Sequence, residues 1–438
     1  MILNTKPYLL VLLCFISLTM LSCNDNNPVE ENTSNQNTTT PNVLLIVADD
    51  LGMDATTYAT QLNTTKPTMP NLDKLITNGV RFTNAWAYPT CTPTRGSIIT
   101  GKHGVQTGLT APGDHIDISE TTLQSYINTN GSTKYASAVF GKWHLSRNSN
   151  DIESMGIDMY KGSISGGVNN YYDWTLEEDG NTFDIENYYT TTAYTDYAID
   201  WIKEQNTPWF CWVAYNAAHT PFHTPKDSSL FTHTGTEDLD MYLQMLEAMD
   251  AEIGRLTDNI PEDVLANTTI IFVGDNGTPS QVAQLPFGRG NAKGSLFNGG
   301  VNVPLVVSGA NVSRQNESDD ALVQTTDLFA TIADLCNVNV SSVNESISFK
   351  TLLTKTATSP RNFSYVESPG NGPNFGGYAV RNSEYKYLYD EDNNEEFLYK
   401  VFDDYEEVND LLLNDDLTEI EQQNMTELLN EANRIQDL

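Results

Sequence analysis

The chain has 438 residues, of which 39% are hydrophobic and 10% aromatic, enough for a sizeable core and too much for a mostly disordered chain. Its 28 glycines and 18 prolines exclude collagen-like or low-complexity architecture. With 58 acidic and 23 basic residues the formal net charge is −35, so no nucleic-acid partner is expected, and any anion must be met by a local basic pocket.

In chain order, residues 1–22 read as a signal peptide. Lys6 precedes an apolar run from Tyr8 to Ile16 that is short for a membrane span, and the segment ends at Met20-Leu21-Ser22-Cys23. A small residue before Cys resembles a bacterial lipoprotein box, with Cys23 lipidated as the mature N-terminus, although Met20 is not the usual first residue of that box. Residues 23–40 are Asn/Thr-rich and lack apolar periodicity, which suits a flexible tether. The expected location is therefore lipid-anchored to a membrane, facing the periplasm or the cell exterior, with the outer membrane favoured.

Val43 to Ala48 is a continuous apolar run, the mark of a strand buried on both faces. Leu72, Leu75 and Ile76 have helical spacing, and Gly79 is placed to cap that helix. Val80 to Tyr88 reads as extended. Trp209 to Ala214, containing Cys211, reads as another buried strand. Tyr242, Met245, Leu246, Met249, Ile253 and Leu256 give a long amphipathic helix, followed by the apolar strand Thr269–Val273. Leu328, Phe329, Ile332 and Leu335 form a helical pattern that ends at Cys336. This alternation predicts an α/β fold, a large mainly parallel sheet sandwiched by helices, with ligands at the carboxyl ends of the strands. After residue 360 aromatic-rich segments and a terminal helix predict a smaller α+β subdomain. The expected domains are 41–360 and 361–438.

Two buried strands end in acidic pairs, Asp49-Asp50 and Asp275-Asn276. Three carboxylates and an amide oxygen would make a hard oxygen cage, suited to Ca²⁺ or Mg²⁺ rather than zinc. Cys91-Thr92-Pro93-Thr94-Arg95 lies between an extended segment and a helical one, so Cys91 is expected near a helix N-terminus with Arg95 close by. Those surroundings point to a reactive or metal-linked Cys, whereas Cys211 and Cys336 read as core.

Cys91-Thr92-Pro93-Thr94-Arg95, running on to Thr100-Gly101, resembles the signature of the type I, formylglycine-dependent sulfatases of the alkaline phosphatase superfamily. Asp49-Asp50, Gly141-Lys142-Trp143-His144, His219-Thr220-Pro221, Gly274-Asp275-Asn276-Gly277 and Lys293-Gly294 are similar to that family, in the same order. So are Gly299-Gly300-Val301 with Val303-Pro304, and Tyr378-Ala379-Val380-Arg381 with Tyr385-Lys386-Tyr387. The resemblance covers residues 41 to 411.

It implies a sulfuric ester hydrolase. A formylglycine-generating maturation enzyme would oxidise Cys91, and one hydroxyl of the hydrated aldehyde would attack sulfur. The second hydroxyl would then expel sulfate. Asp49, Asp50, Asp275, Asn276 and residue 91 would hold one Ca²⁺. Arg95 and Lys142 would support the formylglycine, His144 would take a proton from it, His219 would protonate the departing alcohol, and Lys293 would bridge sulfate and leaving oxygen.

His103 and His223 are rivals of His219 that would instead touch substrate. Asn302 stands where the family usually has Arg, and is expected in the substrate pocket. Tyr171, Tyr172, Trp174, Tyr188 and Tyr189 suit stacking on a sulfated sugar, expected to be an algal polysaccharide or its oligosaccharides, such as ulvan or carrageenan. The alternatives are a phosphodiesterase or phosphonate monoester hydrolase of the same superfamily, and a non-catalytic glycan-binding lipoprotein.

Overall fold

The first apolar run becomes strand β1 (Asn42–Ala48), and all seven of its residues are buried. A computed structural model describes residues 40–438 apart from Thr60, Arg289 and 371–375. The signal peptide, Cys23 and the tether up to residue 39 therefore lie outside the described residues.

The other strands of the main sheet are β2 (Gly79–Trp86), β3 (Ala136–Gly141), β4 (Met159–Gly162), β5 (Trp174–Glu178), β6 (Asn181–Ile185), β7 (Trp209–Ala214), β8 (Thr268–Gly274), β9 (Leu305–Gly309) and β10 (Glu317–Gln324). Their order across the sheet is β10-β2-β9-β8-β1-β7-β3-β4-β5-β6. The central run β8-β1-β7-β3-β4 is parallel throughout. Antiparallel pairs flank it, through β9 on one side and β5 and β6 on the other. The sheet is thus mixed at its margins and parallel where the acidic strand ends lie.

Alternation along β1 explains the two-faced burial. Val43, Leu45 and Val47 enter one core with Ile98 and Ile99 of α2 (Cys91–Thr100), Ile127 of α3 (Leu123–Asn130) and Ile332 of α6 (Leu328–Leu335). Leu44, Ile46 and Ala48 enter the opposite core. There they meet Leu72 of α1 (Pro70–Thr77), Ala198 of α4 (Thr190–Glu204) and Met249 of α5 (Asp238–Asn259). Cys211 lies buried in β7, and Cys336 is buried at the end of α6.

Gly79 is not the cap of α1. The helix stops at Thr77, Asn78 caps it through its N–H to Lys74 O, and Gly79 opens β2. A Cβ there would lie 2.2 Å from Val307 O of β9, so close strand approach excludes a side chain.

The hairpin strands β11 (Ser342–Val343) and β12 (Ser346–Ile347) precede a four-stranded antiparallel sheet. That sheet contains β13 (Ser364–Pro369), β14 (Gly376–Arg381), β15 (Lys386–Asp390) and β16 (Glu395–Tyr399). Val380 and Leu398 pack on Leu428, Ala432 and Ile435 of α7 (Glu419–Gln436). Ala379 and Leu388 face Trp86 and Tyr88 of the main body. The described residues pack as one compact unit. Among the described residues no helix is long and apolar enough to cross a membrane.

Candidate active site

Four adjacent parallel strands release polar residues at one sheet edge. The pairing Ala48↔Gly274 sets Asp49 beside Asp275, and Asp50 N–H donates to Asp275 Oδ1 at 3.0 Å. β3 leads into Lys142 and His144, and β7 leads towards His219. Cys91 comes from the far end of β2, and Lys293 from the loop after β8.

The three carboxylates and three cations interlock. Lys142 Nζ donates to Asp49 Oδ2 at 2.6 Å, and both side chains are fully buried. Arg95 donates through Nε and Nη2 to Asp275 Oδ2, at 3.1 and 2.7 Å, and through Nη1 to Lys142 O at 2.8 Å. Lys293 Nζ pairs with Asp50 Oδ1, which also accepts from Asn276 Nδ2 at 2.7 Å. Burial opposes ionisation of Asp50, but Lys293 and His219 override it and hold the carboxyl well below its usual range. Burial, with Asp275 close by, pushes Asp49 well above that range.

Two buried acceptors point to a cation. Asp49 Oδ1 and Asn276 Oδ1 have no hydrogen-bond partner, and ligand atoms of Asp49, Cys91 and Asp275 lie within 4.8 Å of one another. An orphaned carboxylate oxygen and amide oxygen in one buried cluster fit a hard divalent metal. Such an ion would add two positive charges to a set in which three anions and three cations cancel. That excess is what an anionic ester needs in a chain of net charge −35.

Cys91 is the first residue of α2, and Thr90 stands at the N-cap. Its Sγ lies 3.2 Å from His144 Nδ1. Burial, helped by Lys142 and Arg95, pushes His144 down to about 2. His219 Nδ1–H donates to Thr220 O at 2.9 Å, which leaves Nε2 to carry the exchanging proton. Burial pushes His219 down to about 4, although Asp50 pulls the other way.

A pH test follows from that shift. An unfolded His titrates near about 6.5, so below that pH the unfolded chain binds a proton that folded His219 refuses until about pH 4. The contribution of His219 is therefore whole above pH 6.5 and shrinks as the pH falls. Relative to His219→Gln, the wild type should lose about 1–2 kcal/mol between pH 7 and pH 5, read from urea midpoints. A difference that is flat with pH would contradict the burial of this ring.

Gly166 and Gly167 carried no signal beyond a Gly-Gly pair, yet they lie over both imidazoles. A Cβ on Gly166 would fall 2.3 Å from His144 Cε1, and one on Gly167 would fall 3.1 Å from His219 Cε1. Tyr171 OH sits 2.6 Å from the carbonyl oxygens of both Asn216 and His219 and fixes that turn.

Three expectations are corrected. His103 lies beyond the far end of α2, about 15 Å of helix from Cys91 by the rise per residue. It is fully buried, 2.6 Å from Tyr88 OH and edge-on to Tyr365, so it joins the body to the small sheet instead of meeting substrate. Asn302 is fully buried too; its Nδ2 donates to Thr83 O at 3.1 Å, which ties it to β2. Tyr171, Trp174 and Tyr189 are buried in the core, so only Tyr172 and Tyr188 keep exposed ring surface. His223 is half-buried. Its ring centroid lies 4.5 Å from that of Tyr171, tilted by 40°, and with Tyr172, Pro221 and Lys226 it lines a cavity of about 310 Å³.

This buried acid–base cluster at the carboxyl edge of a mixed sheet defines a class, and comparison with known proteins gives the family. The sulfatase family profile matches residues 41–338, and that of the N-sulphoglucosamine sulphohydrolase C-terminal region matches residues 292–434. The chain belongs to the sulfatase family. It is similar to arylsulfatase J of Mus musculus, 28% identical over 68% of this chain and 53% of that protein. It is also similar to arylsulfatase G of Rattus norvegicus, 26% identical over 68% of this chain and 66% of that protein. The chain thus spans about half to two thirds of the length of these two relatives. An ulvan-active sulfatase of Formosa agariphila is 25% identical over 90% of this chain and 81% of that protein. The fold matches the crystal structure of Ps i-CgsB in complex with k-i-k-neocarrahexaose, with a TM-score of 0.76, 23% identity, and coverage of 91% of this chain and 93% of that one.

Proposed function

We propose that the protein is a sulfuric ester hydrolase acting on a sulfated carbohydrate. The observation that carries this reading is Cys91 at the start of α2, against His144, with Asp49 and Asp275 in reach of one cation. The near full-length likeness to an ulvan-active sulfatase supports a sulfated algal polysaccharide or its oligosaccharides as substrate.

Residue 91 as formylglycine supplies the nucleophilic hydroxyl, and Ca²⁺ on Asp49, Asp50, Asp275 and Asn276, when bound, neutralises charge on the sulfate. The other steps belong to the chain's own side chains. Arg95 and Lys142 fix the oxygens around residue 91, Arg95 through Asp275 and Lys142 through Asp49. His144 Nδ1, 3.2 Å from the side chain of residue 91, is the atom placed to take its proton. With Nδ1–H held by Thr220 O, a proton taken up at Nε2 would be the one His219 passes to the departing oxygen, and Lys293 meets the negative charge that develops there. Anchoring through a lipid on Cys23, facing the periplasm or the exterior, completes the proposal; a labelled fatty acid incorporated by wild type and lost in Cys23→Ala would test it.

The test of function is desulfation of a panel of sulfated oligosaccharides by matured protein, with aryl sulfate and an aryl phosphate diester in parallel. Faster turnover of the phosphate diester would move the reading to a phosphodiesterase, and no turnover of any substrate would leave a glycan-binding lipoprotein. Within that panel, His219→Ala should separate leaving groups. A sugar alcohol needs its proton and an activated aryl oxygen hardly does, so sugar desulfation should fall about 10² to 10⁴-fold more than aryl sulfate hydrolysis. Equal losses would shift the role to His223.

A further inference from the structure

Six cationic side chains are buried among the described residues: Arg95, Lys142, Arg314, Arg361, Arg381 and Lys386. Five hold a carboxylate each, namely Asp275, Asp49, Asp319, Asp327 and Glu407 for Arg95, Lys142, Arg314, Arg361 and Lys386. Arg381 is the sixth. It is 2% exposed and pairs with no carboxylate among the described residues. Leaving a buried charge without a counter-charge is costly, so the exception needs a reason.

Its contacts leave donors unused. Nε donates to Asn382 O at 3.0 Å and Nη1 donates to Asn84 Oδ1 at 3.2 Å, both neutral acceptors. The guanidinium also lies over the Trp86 ring, 5.8 Å from its centroid. A guanidinium has five N–H donors in a planar fork. Glu407, which acts on Arg381 electrostatically, is already taken by Lys386 Nζ and by Asn298 N–H. Burial accordingly pulls Arg381 down to about 10, where it is still a cation at neutral pH.

Arg381 lines a cavity of about 490 Å³ between β2 and the small sheet, with Thr83, Asn84, Ser383, Lys400 and Tyr405. None of the residues assigned to the Cys91 centre lines it. The acidic residues at its rim, Asp320, Glu384 and Asp403, are exposed, and Asp403 is paired with Lys400 at 2.7 Å. Solvated rim charges are screened by salt, whereas the buried guanidinium is not.

We propose that this cavity is an oxyanion site separate from the Cys91 centre, in which Arg381 binds a sulfate or carboxylate group through its unused N–H donors. The oxyanion then supplies the missing counter-charge, and a planar fork is suited to two such oxygens. The ligand is either a free ion or an anionic group carried along a sugar chain.

The probe is labelled inorganic sulfate in equilibrium dialysis against the full matured chain. Wild type should bind one more saturable equivalent than Arg381→Gln, and binding at this site should weaken about tenfold or more, as expected for loss of a charge-assisted pair. Ser383→Glu guards against a misfolded Arg381 variant, because it places a carboxylate at the exposed edge of the cavity as a built-in competitor. It should lose the same equivalent with aryl sulfate turnover unchanged. Equal sulfate binding in wild type and both variants overturns the proposal. Competition by a sulfated oligosaccharide, with its KM raised in the variants and that of aryl sulfate unmoved, assigns the site to the sugar chain. Binding of inorganic sulfate without such competition assigns it to the free ion. Aryl sulfate turnover reports on the Cys91 centre alone, so failure of the hydrolase reading leaves the dialysis result standing.

Discussion

Replacing Cys91 by Ala should lower sulfate ester turnover by about 10⁴-fold or more, the scale seen when a covalent nucleophile is removed, while the fold survives. The side chain is small, and its polar contact is the ring of His144. Thr90 still stands at the N-cap of α2, and the helix is anchored by Ile98 and Ile99 in the core. Urea midpoints should therefore change by little more than the cost of a small buried truncation, about 1 kcal/mol. In active wild-type protein, mass spectrometry of the peptide spanning residue 91 should show an aldehyde in place of the thiol. Cys211 and Cys336 should remain thiols, because neither stands in the Cys-Thr-Pro-Thr-Arg context of residue 91. Full activity with an unmodified thiol at 91 would remove the nucleophile assignment.

Asp275→Ala should be the more damaging change, because it removes three interactions at once. Arg95 loses the carboxylate it pairs with at zero side-chain exposure, Asp50 N–H loses its acceptor, and the proposed metal site would lose a ligand. Breaking one side of a buried ion pair costs about 3–5 kcal/mol, so thermal stability should drop well before activity is considered. Asp275→Asn keeps an acceptor for Asp50 N–H and the side-chain shape. It should recover part of the stability but leave metal affinity well below wild type, because the site loses one negative charge. Calorimetric Ca²⁺ titration of the two variants against chelated wild type separates these effects. In wild type, chelation should inhibit and Ca²⁺ should restore activity, with a matching rise in melting temperature from binding to the folded state alone. A fully demetallated wild type that keeps its rate would show that the orphaned oxygens of Asp49 and Asn276 serve something else.

Much of the site was legible because of where its residues sit in chain order. Asp49-Asp50 and Asp275-Asn276 each end an uninterrupted apolar run, and parallel strands deliver such ends to one edge. The reading therefore brought four of the oxygen donors together without any contact information. Cys91 was legible through its Pro-containing helix start and its distance from core-like runs. His103 and Asn302 were misplaced for the opposite reason. Their motifs adjoin the site along the chain, but a helix carries His103 away from Cys91, and a β-bridge to Trp86 turns Asn302 towards β2. The tyrosines after residue 170 were divided by packing: Tyr171 anchors a carbonyl next to His219, while Tyr172 keeps an open face.

By itself the amino-acid sequence determined the buried strands, the amphipathic helices, the acidic strand ends and the helix-start position of Cys91. These follow from periodicity and from local backbone chemistry, which neighbouring residues settle among themselves. Only the tertiary structure decided which cation meets which carboxylate. It also set the antiparallel pairs that flank the parallel run, the Gly166-Gly167 cover over His144 and His219, and a buried Arg381 that pairs with no carboxylate among the described residues. Lys142 reaches Asp49 across 93 positions, Arg95 reaches Asp275 across 180, and Lys293 reaches Asp50 across 243. Such pairings are fixed by strand order and by the need to neutralise charge inside a low-dielectric core, and neither is encoded within any one stretch of chain.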